Sequence, residues 1–437
     1  MSAALIKKIR KRSARVGVIG LGYVGLPLAV EFAKQGFKTV GIDSDPKRVR
    51  AIQAGRSYIG DVPKRDVAWV VQKKCFRATA QYRALRETDA VVICVPTPLT
   101  KTREPDVSHI LAAANALVKH LHRGQLIVLE STTYPGTTEE VILPILAADG
   151  LRVGKDFYLG FSPERVDPGN RRFSTRTIPK VVSGVTAACR QTARSLYEQV
   201  VDTVVEVSSP KSAEMVKIWE NTFRAINIGL ANEMAVICDQ LGIDVWEVIE
   251  AAKTKPFGFM PFYPGPGIGG HCIPSDPMYL AWKSRLHGLE ARFIELATQV
   301  NSSMPEYVVK KVAGTLKHRK KPLKNAKILL IGMTYKRNVS DLRDSPALDV
   351  ARLLKERGAK VHFYDPLISS IEIDGVRQKS VKLSAGQLKR SDAVVLLANH
   401  TGLDYPLILK EAKLIVDTRN QFRLGRSSKF ISKVVKL

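Results

Sequence analysis

Cys272 is the residue with the most reactive side chain in the most unusual setting of this sequence. It lies in the segment 263–277, which contains four glycines and four prolines. Proline lacks a backbone N–H and glycine lacks a side chain, so this composition excludes a regular helix and predicts a shaped loop that brings backbone close to a ligand. A thiol in such a loop is a candidate nucleophile, and a carboxylate, Asp276, stands four residues further on. The alternative is a tight turn with an unreactive cysteine.

Three glycines near the start of the chain have the spacing of a dinucleotide-binding turn. Gly20, Gly22 and Gly25 follow an apolar strand and precede a helical pattern, and Asp43 ends the next strand 18 residues after the last glycine. Glycine permits the tight turn and the approach of a pyrophosphate to a helix N-terminus, whose N–H groups favour anions. The carboxylate favours NAD over NADP because it would repel a 2′-phosphate, although nearby basic residues leave NADP open. A glycine turn without a ligand is the alternative.

Polar residues follow the ends of further apolar strands in the first half of the chain. Apolar strands separated by helical segments predict a parallel sheet with helices on both faces. Ligands of such sheets bind beyond the carboxyl ends of the strands. This rule selects as site residues Pro96, Thr97, Ser131, Thr132 and Glu164. In contrast, Cys94 lies within a strand pattern and is predicted to be a core residue.

A helical pattern of about 30 residues begins near residue 208 and would be about 45 Å long at 1.5 Å per residue. Such a helix is long enough to bridge domains or subunits. Lys217 and Asn221 are four residues apart on it and therefore share one face. The alternative is a pair of exposed polar side chains.

The last part of the chain returns to strand–helix alternation without a second glycine fingerprint. It is predicted to be another doubly wound unit, which binds a nucleotide of another kind. Lys336, Arg343 and Arg419 come just after strand ends, where they would meet phosphate or uridine groups. Solvated surface cations are the alternative for each of them.

The length of 437 residues exceeds one ordinary core and predicts two or three domains. The fold class is predicted to be α/β, with two Rossmann-like doubly wound domains joined by a long central helix and a helical region, which the family resemblance described below identifies as a dimerisation region. The expected boundaries are 1–207 for an NAD-binding domain, 208–318 for a central helical domain with the Cys272 loop, and 319–437 for a second Rossmann-like domain. Residues 1–15 are basic without a following apolar stretch, which predicts a frayed tail rather than a secretory signal.

The net charge of +27, from 68 Lys and Arg against 41 Asp and Glu, raises the possibility of nucleic-acid binding. The basic residues are spread along the chain, so the charge is interpreted instead as a potential that attracts phosphorylated small molecules. No apolar run reaches the length of about 20 residues that spans a bilayer. Five widely spaced cysteines without a metal-ligand pattern predict reduced thiols in a cytoplasmic protein and no metal site.

Seven ordered motifs carry a family resemblance. They are GlyLeuGlyTyrValGly at 20–25, SerThrThrTyrProGly at 131–136, SerProGlu at 162–164, the helix with Lys217 and Asn221, GlyGlyHisCysIleProSerAspPro at 269–277, TyrLysArgAsnValSerAspLeuArgAspSerPro at 335–346, and AspThrArg at 417–419. Over nearly its whole length the sequence resembles the UDP-glucose/GDP-mannose dehydrogenase family. Its GlyGlyHisCysIlePro form, with TyrLeuAlaTrpLys at 279–283 and ArgPheIleGluLeuAla at 292–297, is similar to the branch that oxidises UDP-N-acetyl-D-glucosamine for bacterial polysaccharide synthesis.

The resemblance implies a four-electron oxidation of the C6 alcohol of a UDP-sugar to a carboxylate, with two NAD consumed. Cys272 would capture the intermediate aldehyde as a thiohemiacetal, which is oxidised to a thioester and hydrolysed. Lys217 and Asn221 would stabilise the oxyanion. The groups that place water and relay protons would be Asp276, Thr132 and Glu164.

The same resemblance implies two sets of binding residues and a homodimer formed through the long helix. The cofactor would contact Gly20, Gly22, Tyr23, Val24, Gly25, Asp43, Arg48, Pro96, Thr97, Ser131, Thr132 and Arg343. The UDP-sugar would contact Glu164, Arg165, Val166, Lys217, Asn221, Tyr263, Gly265, Gly269, Lys336 and Arg419, together with Arg292 of the partner subunit. No nucleic acid and no membrane insertion are expected.

Several substrates and one different class of protein remain as alternatives. UDP-glucose, UDP-N-acetylmannosamine and UDP-N-acetylgalactosamine are alternative substrates. The segment 165–169 lacks a glutamate at the spacing familiar from the UDP-glucose branch, which weakens that assignment. A non-catalytic nucleotide-binding protein is the alternative of another class, and Cys272 together with Lys217 and Asp276 argues against it.

Overall fold

The structure is a computed structural model that describes residues 1–166, 170, 173–425 and 427–437. Its internal contacts divide the chain into two compact units. The first consists of Met1–Glu220 and Met278–Glu290, and the second of Asn221–Pro277 and Ala291–Leu437. Asp167, Pro168 and Gly169 of the departure from the UDP-glucose pattern lie outside the described residues.

Strands and helices alternate through the first unit. Its elements are α1 (Ser2–Arg10), β1 (Arg15–Ile19), α2 (Gly25–Lys34), β2 (Lys38–Ile42), α3 (Pro46–Gln53), α4 (Lys64–Gln72), β3 (Phe76–Thr79), β4 (Ala90–Ile93), α5 (Ser108–Val118), β5 (Leu126–Leu129), α6 (Leu143–Leu146), β6 (Tyr158–Phe161), β7 (Lys180–Val182), α7 (Ala187–Tyr197) and β8 (Val204–Glu206).

Six of these strands form one parallel sheet in the order β3-β2-β1-β4-β5-β6. In its register Val16 lies between Thr39 and Ala90. Both faces are covered, since Val92 belongs to the core cluster on one face and its neighbour Val91 to the cluster on the other. This is the strand order of a dinucleotide-binding domain, and it places the switch point of the sheet between β1 and β4.

The N-terminal tail was predicted to be frayed, and this prediction is wrong. Residues 2–10 form α1, in which Leu5 and Ile9 are buried in the core of the first unit. The two side chains are four residues apart and therefore lie on one helix face, so burying them stabilises a helix that also carries Lys7, Lys8 and Arg10.

The rest of the chain contains four further helices before or after the Cys272 loop and a second strand–helix series. The remaining elements are α8 (Pro210–Gln240), α9 (Val245–Ala252), α10 (Asp276–Leu286), α11 (Arg292–His318), β9 (Lys327–Ile331), α12 (Pro346–Glu356), β10 (Lys360–Tyr364), β11 (Ser370–Ile373), β12 (Val376–Lys379), α13 (Ala385–Arg390), β13 (Ala393–Leu396), α14 (Tyr405–Glu411), β14 (Ile415–Asp417) and β15 (Val434–Lys436). The 31 residues of α8 confirm the predicted long helix.

The second unit contains a five-stranded parallel sheet in the order β10-β9-β13-β14-β15. Counted from β9, this is the 2-1-3-4-5 order of the other common doubly wound fold, with its switch point between β9 and β13. Alternate residues such as Leu330 and Leu329 again belong to core clusters on opposite faces. The predicted α/β class with two doubly wound sheets is confirmed. Among the described residues, no helix has the length and apolar character needed to cross a membrane.

Candidate active site

The glycine turn after β1 has the geometry of a dinucleotide site. Gly20 has φ of +87°, and a Cβ there would lie 2.5 Å from the carbonyl oxygen of Cys94. A Cβ at Gly25 would lie 1.8 Å from the carbonyl oxygen of Gly20, whereas a Cβ at Gly22 would meet no atom within 4 Å. No side chain caps the N-terminus of α2. The turn is therefore closed towards the sheet, and open space at Gly22 and uncapped N–H groups fit a pyrophosphate.

Asp43 at the end of β2 holds this turn in place. Its Oδ2 accepts a hydrogen bond from the backbone N–H of Leu21 at 2.8 Å, and its Oδ1 accepts one from Asp45 N–H at 2.8 Å. The Arg48 guanidinium lies 3.2 Å from Oδ2. Asp43 thus has a structural role in addition to the predicted contact with the cofactor, and its charge is partly balanced by Arg48.

The loops after β4 and β5 are tied together. The Ser131 hydroxyl donates to the carbonyl oxygen of Val95 at 2.7 Å, and the Thr97 hydroxyl donates to that of Thr132 at 2.7 Å. The hydroxyl of Tyr279 donates to the Thr97 carbonyl oxygen. Three predicted site residues therefore meet at the carboxyl edge of the sheet, while the neighbouring Pro96 is exposed there.

Glu164 and Lys217 form a buried ion pair. Lys217 Nζ lies 3.4 Å from Glu164 Oε2, and each residue is only 6% exposed. The other oxygen, Oε1, accepts a hydrogen bond from the N–H of Val166. Electrostatic interactions are stronger where the dielectric constant is low. Each member of this buried pair therefore interacts with charge on a bound ligand more strongly than it would in water. Sequence spacing placed Lys217 on a helix face but did not identify its partner 53 residues earlier.

Arg165, predicted to contact the substrate, is engaged by protein groups. Its Nε donates to Glu220 Oε1 at 3.1 Å, and one terminal nitrogen donates to the Pro179 carbonyl oxygen at 2.6 Å. These contacts orient the backbone after Glu164 and leave a substrate role for Arg165 as a proposal.

A second buried ion pair involves Glu130, which follows β5 directly, and no local sequence pattern predicted it. Lys180 Nζ pairs with Glu130 Oε1 and donates to the Pro163 carbonyl oxygen at 2.9 Å. The Tyr197 hydroxyl donates to Glu130 Oε2 at 2.6 Å. All three side chains are buried. Since Glu130 precedes Ser131 and Pro163 precedes Glu164, this triad clamps two segments that carry predicted site residues.

Cys272 is exposed in the second unit, as a nucleophile requires. Its carbonyl oxygen accepts the N–H of Asp276 at 2.8 Å, so Asp276 lies one turn on, at the start of α10. Asn221 Nδ2 donates to Asp276 Oδ2 at 2.5 Å. Immediately before the cysteine, burial and the nearby Arg343 guanidinium lower the pKa of His271, so this imidazole is neutral at neutral pH.

The glycines of the Cys272 loop permit close packing against the second sheet's loops. A Cβ at Gly265 would lie 2.6 Å from a guanidinium nitrogen of Arg419, and a Cβ at Gly269 would lie 2.5 Å from the Asp344 carbonyl oxygen. Gly270 has φ of +85°, and a Cβ there would meet the ring of Tyr335 at 2.7 Å. The structure thus brings together three motifs that are separate in sequence: the loop 263–277, the segment 335–346 and the residues after β14.

The predicted cations of the second unit occupy different positions. Arg419 donates from Nε to the Leu397 carbonyl oxygen at 2.8 Å, and burial lowers its pKa to about 10, so it remains a cation at neutral pH. Arg343 forms a bidentate ion pair with Asp341, in which Arg343 Nη2 lies 2.7 Å from Asp341 Oδ2. Lys336 is half-buried in the loop after β9, and Arg292 is exposed at the first turn of α11.

Tyr263 and two buried asparagines fix the start of the Cys272 loop. The Tyr263 ring stacks on Trp246 with centroids 6.0 Å apart. Asn232 Oδ1 accepts the Gly265 N–H at 2.9 Å, and Asn232 Nδ2 donates to Asn301 Oδ1 at 2.8 Å. Sequence reasoning missed both asparagines, because two such residues on helices 69 positions apart give no local pattern.

Three consecutive models of one protein family match the chain. They are described as the NAD binding domain, the central domain and the UDP binding domain of the UDP-glucose/GDP-mannose dehydrogenase family, and they match residues 14–201, 211–303 and 329–423.

Individual relatives agree with these models. A UDP-N-acetyl-D-glucosamine 6-dehydrogenase from Pseudomonas aeruginosa is 37% identical over 82% of this chain and 84% of its own length. A UDP-N-acetyl-D-mannosamine dehydrogenase from Methanococcus maripaludis is 34% identical over 93% and 92%. A solved structure of a UDP-D-ManNAc dehydrogenase from Pyrococcus horikoshii has a TM-score of 0.87 and 31% identity, covering 97% of this chain and 98% of that one. The predicted family and NAD as its cofactor are thereby confirmed, and the chain belongs to the UDP-glucose/GDP-mannose dehydrogenase family of NAD-dependent UDP-sugar dehydrogenases.

Proposed function

We propose that the protein oxidises the C6 alcohol of UDP-N-acetyl-D-glucosamine to the uronic acid, for the synthesis of a polysaccharide precursor. The observation that carries the proposal is the meeting of the exposed Cys272 loop with the segment 335–346 and Arg419 in one unit. The choice of sugar is supported by the form of the GlyGlyHisCysIlePro motif and by the 37% identity to the Pseudomonas aeruginosa relative. UDP-N-acetyl-D-mannosamine is the second candidate, favoured by the likeness to the Pyrococcus horikoshii structure.

Cys272 is the proposed nucleophile. The C6 alcohol first loses a hydride from carbon and its hydroxyl proton to a base, which gives the aldehyde. The thiolate then adds to this aldehyde, so a C–S bond forms and the former carbonyl oxygen takes up a proton as the hydroxyl of a thiohemiacetal. Loss of a hydride from C6 and of the hydroxyl proton leaves a thioester. Water then attacks C6, the C–S bond breaks, and the carboxylate and the free thiolate are produced. Bound NAD supplies the hydride acceptor for each of the two oxidations.

Lys217 and Asn221 are assigned to the oxygen on C6. The Asn221 amide has two N–H groups; one donates to Asp276, and the second is assigned to the developing oxyanion. Asp276 thereby orients the amide and, with Glu164 and Thr132, is proposed to place water and relay protons. Lys217 Nζ lies 3.4 Å from Glu164 Oε2, which supports a joint role for the two side chains in catalysis. A proton transferred to the carboxylate would remove its negative charge and so weaken its attraction for the ammonium group.

The cofactor and the UDP part are assigned to the two doubly wound sheets. NAD would lie on the glycine turn with Tyr23 and Val24 and beside Asp43. UDP would lie at the carboxyl edge of the second sheet with Lys336 and Arg419, while Arg343 is proposed to reach the cofactor. We accordingly assign NAD binding to residues 1–207, the catalytic loop and dimerisation to 208–318, and UDP binding to 319–437.

A homodimer is proposed from the exposed side chains of α8. Phe223, Leu230, Met234 and Ile237 are all at least 40% exposed, and their spacings of seven, four and three residues form one stripe along the helix. A heptad-like apolar stripe of this kind is typical of a helix that packs on a second helix. In the proposed dimer Arg292 would reach the substrate of the partner subunit.

The experiment that tests the function is a panel of UDP-sugars assayed with NAD and with NADP. The panel contains the UDP derivatives of N-acetylglucosamine, N-acetylmannosamine, N-acetylgalactosamine and glucose. We expect two NADH for each UDP-N-acetyl-D-glucosamine consumed, a much lower kcat/KM for the other sugars, and preference for NAD. A higher kcat/KM for another sugar would overturn the substrate assignment, and no reduction of either cofactor with any sugar would overturn the proposed activity.

A further inference from the structure

The switch point of the second sheet is formed by two loops. The first, which we call the lysine turn, comprises residues 332–338 after β9 and contains Lys336. The second comprises residues 397–401 after β13 and contains His400. Doubly wound folds bind ligands where such loops diverge. The side chains that hold the lysine turn affect the binding of UDP if this turn contacts UDP, as the proposed function requires.

Asp365 at the end of β10 repeats the structural task of Asp43. Its Oδ2 accepts the N–H of Met333 at 2.6 Å, just as Asp43 accepts the N–H of Leu21 at 2.8 Å. The surroundings of the two carboxylates differ. Asp43 is paired with the half-exposed Arg48, whereas Asp365 is covered by a buried imidazole, whose Nε2 lies 3.2 Å from its Oδ2.

The hydrogen bonds of His400 fix its tautomer. The backbone N–H of Asn338 donates to Nδ1 at 2.9 Å, so Nδ1 carries no proton and Nε2 carries the single one. The Nε2–H group faces Asp365 Oδ2 and the Thr334 hydroxyl oxygen, both at 3.2 Å. The Thr334 hydroxyl in turn donates to the carbonyl oxygen of Lys336 at 3.0 Å. His400, only 1% exposed, is therefore a neutral link between Asp365 and both ends of the lysine turn.

The side chain of Asn338 closes the same turn from outside. Asn338 has φ of +60°. Its Nδ2 donates to the Thr401 hydroxyl at 2.8 Å, and its Oδ1 accepts the N–H of Thr401 at 2.8 Å. Two hydrogen bonds thus join Asn338 to Thr401, the residue after His400. They hold Asn338 in its left-handed conformation.

We propose that His400 is a positioning residue for Lys336 in the binding of the UDP group. It acts through the backbone of the lysine turn: Nδ1 holds Asn338 N–H, and Nε2–H holds Thr334, whose hydroxyl holds the carbonyl group of Lys336. The neutral tautomer is essential, since a proton on Nδ1 would face the N–H of Asn338. Asp365 selects that tautomer by accepting from Nε2.

The first test measures UDP affinity by calorimetry, which does not depend on turnover. His400→Ala should raise the Kd for UDP and the KM for the UDP-sugar by about tenfold, with kcat and the KM for NAD nearly unchanged. His400→Asn retains an acceptor for Asn338 N–H and should recover more affinity than His400→Ala. His362→Ala, at an exposed position of β10, is the matched control. Equal UDP affinity in folded His400→Ala and wild-type protein would overturn the proposal.

If the alanine variant does not fold, His400→Asn and His400→Gln are compared instead. Wild-type affinity in both would then overturn the proposal, and a weaker affinity in His400→Gln than in His400→Asn would support it.

A double-mutant cycle with Lys336→Ala decides whether His400 acts through the lysine. If it does, His400→Ala should weaken UDP binding much less in the Lys336→Ala background than in the wild type. Full additivity of the two losses would overturn the positioning role. These outcomes are distinct from a failure of the proposed function, in which the unaltered protein would bind no UDP and oxidise no UDP-sugar.

Discussion

The Asn221 amide donates to the Asp276 carboxylate across 2.5 Å, and both side chains are buried. This hydrogen bond joins α8 to the first residue of α10, one turn after Cys272. A buried carboxylate that loses its donor retains its full desolvation cost. The bond therefore couples the orientation of a proposed oxyanion donor to the position of the catalytic loop.

Asn221→Ala should lower kcat by about 100-fold, because it removes an oxyanion donor and the hydrogen bond that the amide donates to Asp276. The free energy of unfolding should fall by about 1–3 kcal/mol. Steady-state kinetics and urea titrations measure both effects. Asn227→Ala is the control, since Asn227 lies on the same helix and its amide donates to the Phe223 carbonyl oxygen within that helix. Wild-type kcat in Asn221→Ala would refute the oxyanion assignment.

Cys272→Ser should abolish formation of the acid, because a serine alkoxide is not formed at neutral pH and an ester intermediate is a poorer acyl donor than a thioester. We expect a loss of about 1,000-fold or more in acid production and an unchanged Kd for NAD. Mass spectrometry of the sugar product and NAD titration provide the measurements. Cys75→Ser, at a half-buried position in the first unit, should behave as wild type. Continued acid production by Cys272→Ser would exclude the covalent mechanism.

Local patterns in the sequence predicted the elements of the fold and the exposed loop but not the side chains that hold the site. The glycine turn, the apolar strands and the long α8 follow from spacing and hydropathy over a few residues. Lys217 and Asn221 share a helix face by the same reasoning, yet their partners, Glu164 and Asp276, lie more than 50 residues away in sequence. Such partners depend on tertiary packing, which a single sequence does not encode in a local pattern.

The dependence on tertiary packing also explains why the sequence did not predict two other buried pairs, Glu130–Lys180 and Asp365–His400. Nothing in the neighbourhood of Glu130 or Lys180 indicates that they meet 50 residues apart, and His400 meets Asp365 only because β10 and β13 both flank β9. The buried face of α1 was missed for another reason. Leu5 and Ile9 are the buried side chains of a short segment rich in Lys and Arg, and tertiary burial outweighs its weak local signal.

The clamp between Glu130 and Lys180 gives a third prediction. Either single neutralisation, Glu130→Gln or Lys180→Met, leaves one buried charge uncompensated and should destabilise the protein by about 3–5 kcal/mol. The double variant removes both charges and should recover most of that stability. It should still show kcat reduced by about tenfold, because Pro163 and with it Glu164 lose their support.

Thermal unfolding measures the stability of the two single variants and the double variant, and steady-state kinetics measure their kcat. Tyr197→Phe is the mild control, since it removes only the hydroxyl that donates to Glu130. A double variant with wild-type kcat would show that the ion pair serves stability alone. Recovery of no stability in the double variant would show that the two charges do not compensate each other.

The exposed stripe of α8 gives a fourth prediction. Leu230→Glu places a charge in the centre of the proposed dimer contact and should shift the protein towards the monomer. Light scattering after size-exclusion chromatography, over a range of protein concentrations, measures the molar mass. Val376→Glu is a matched control, because Val376 is 63% exposed on the β11–β12 hairpin. A dimer that persists unchanged in Leu230→Glu, or a wild-type monomer, would refute the proposed contact.

Glu214 gives a prediction about pH. Burial raises the pKa of Glu214 to about 7, against hydrogen bonds from the Thr138 hydroxyl and from the N–H groups of Gly136 and Thr138, which lower it. A raised pKa means that the folded state binds this proton more tightly than the unfolded state, whose pKa is about 4.3. The stabilising contribution is therefore complete below about pH 4 and is lost as the pH rises through about 7.

Glu214→Gln removes this titration, so its free energy of unfolding should depend less on pH than that of the wild type. Between pH 5 and pH 8 the difference between the two proteins should change by about 2–3 kcal/mol in favour of the variant at high pH. Urea titrations at several pH values measure it, with Glu233→Gln, at an exposed position of α8, as the control. Parallel curves for wild type and Glu214→Gln would mean that the three donors around the carboxylate outweigh its burial and keep Glu214 ionised throughout this range.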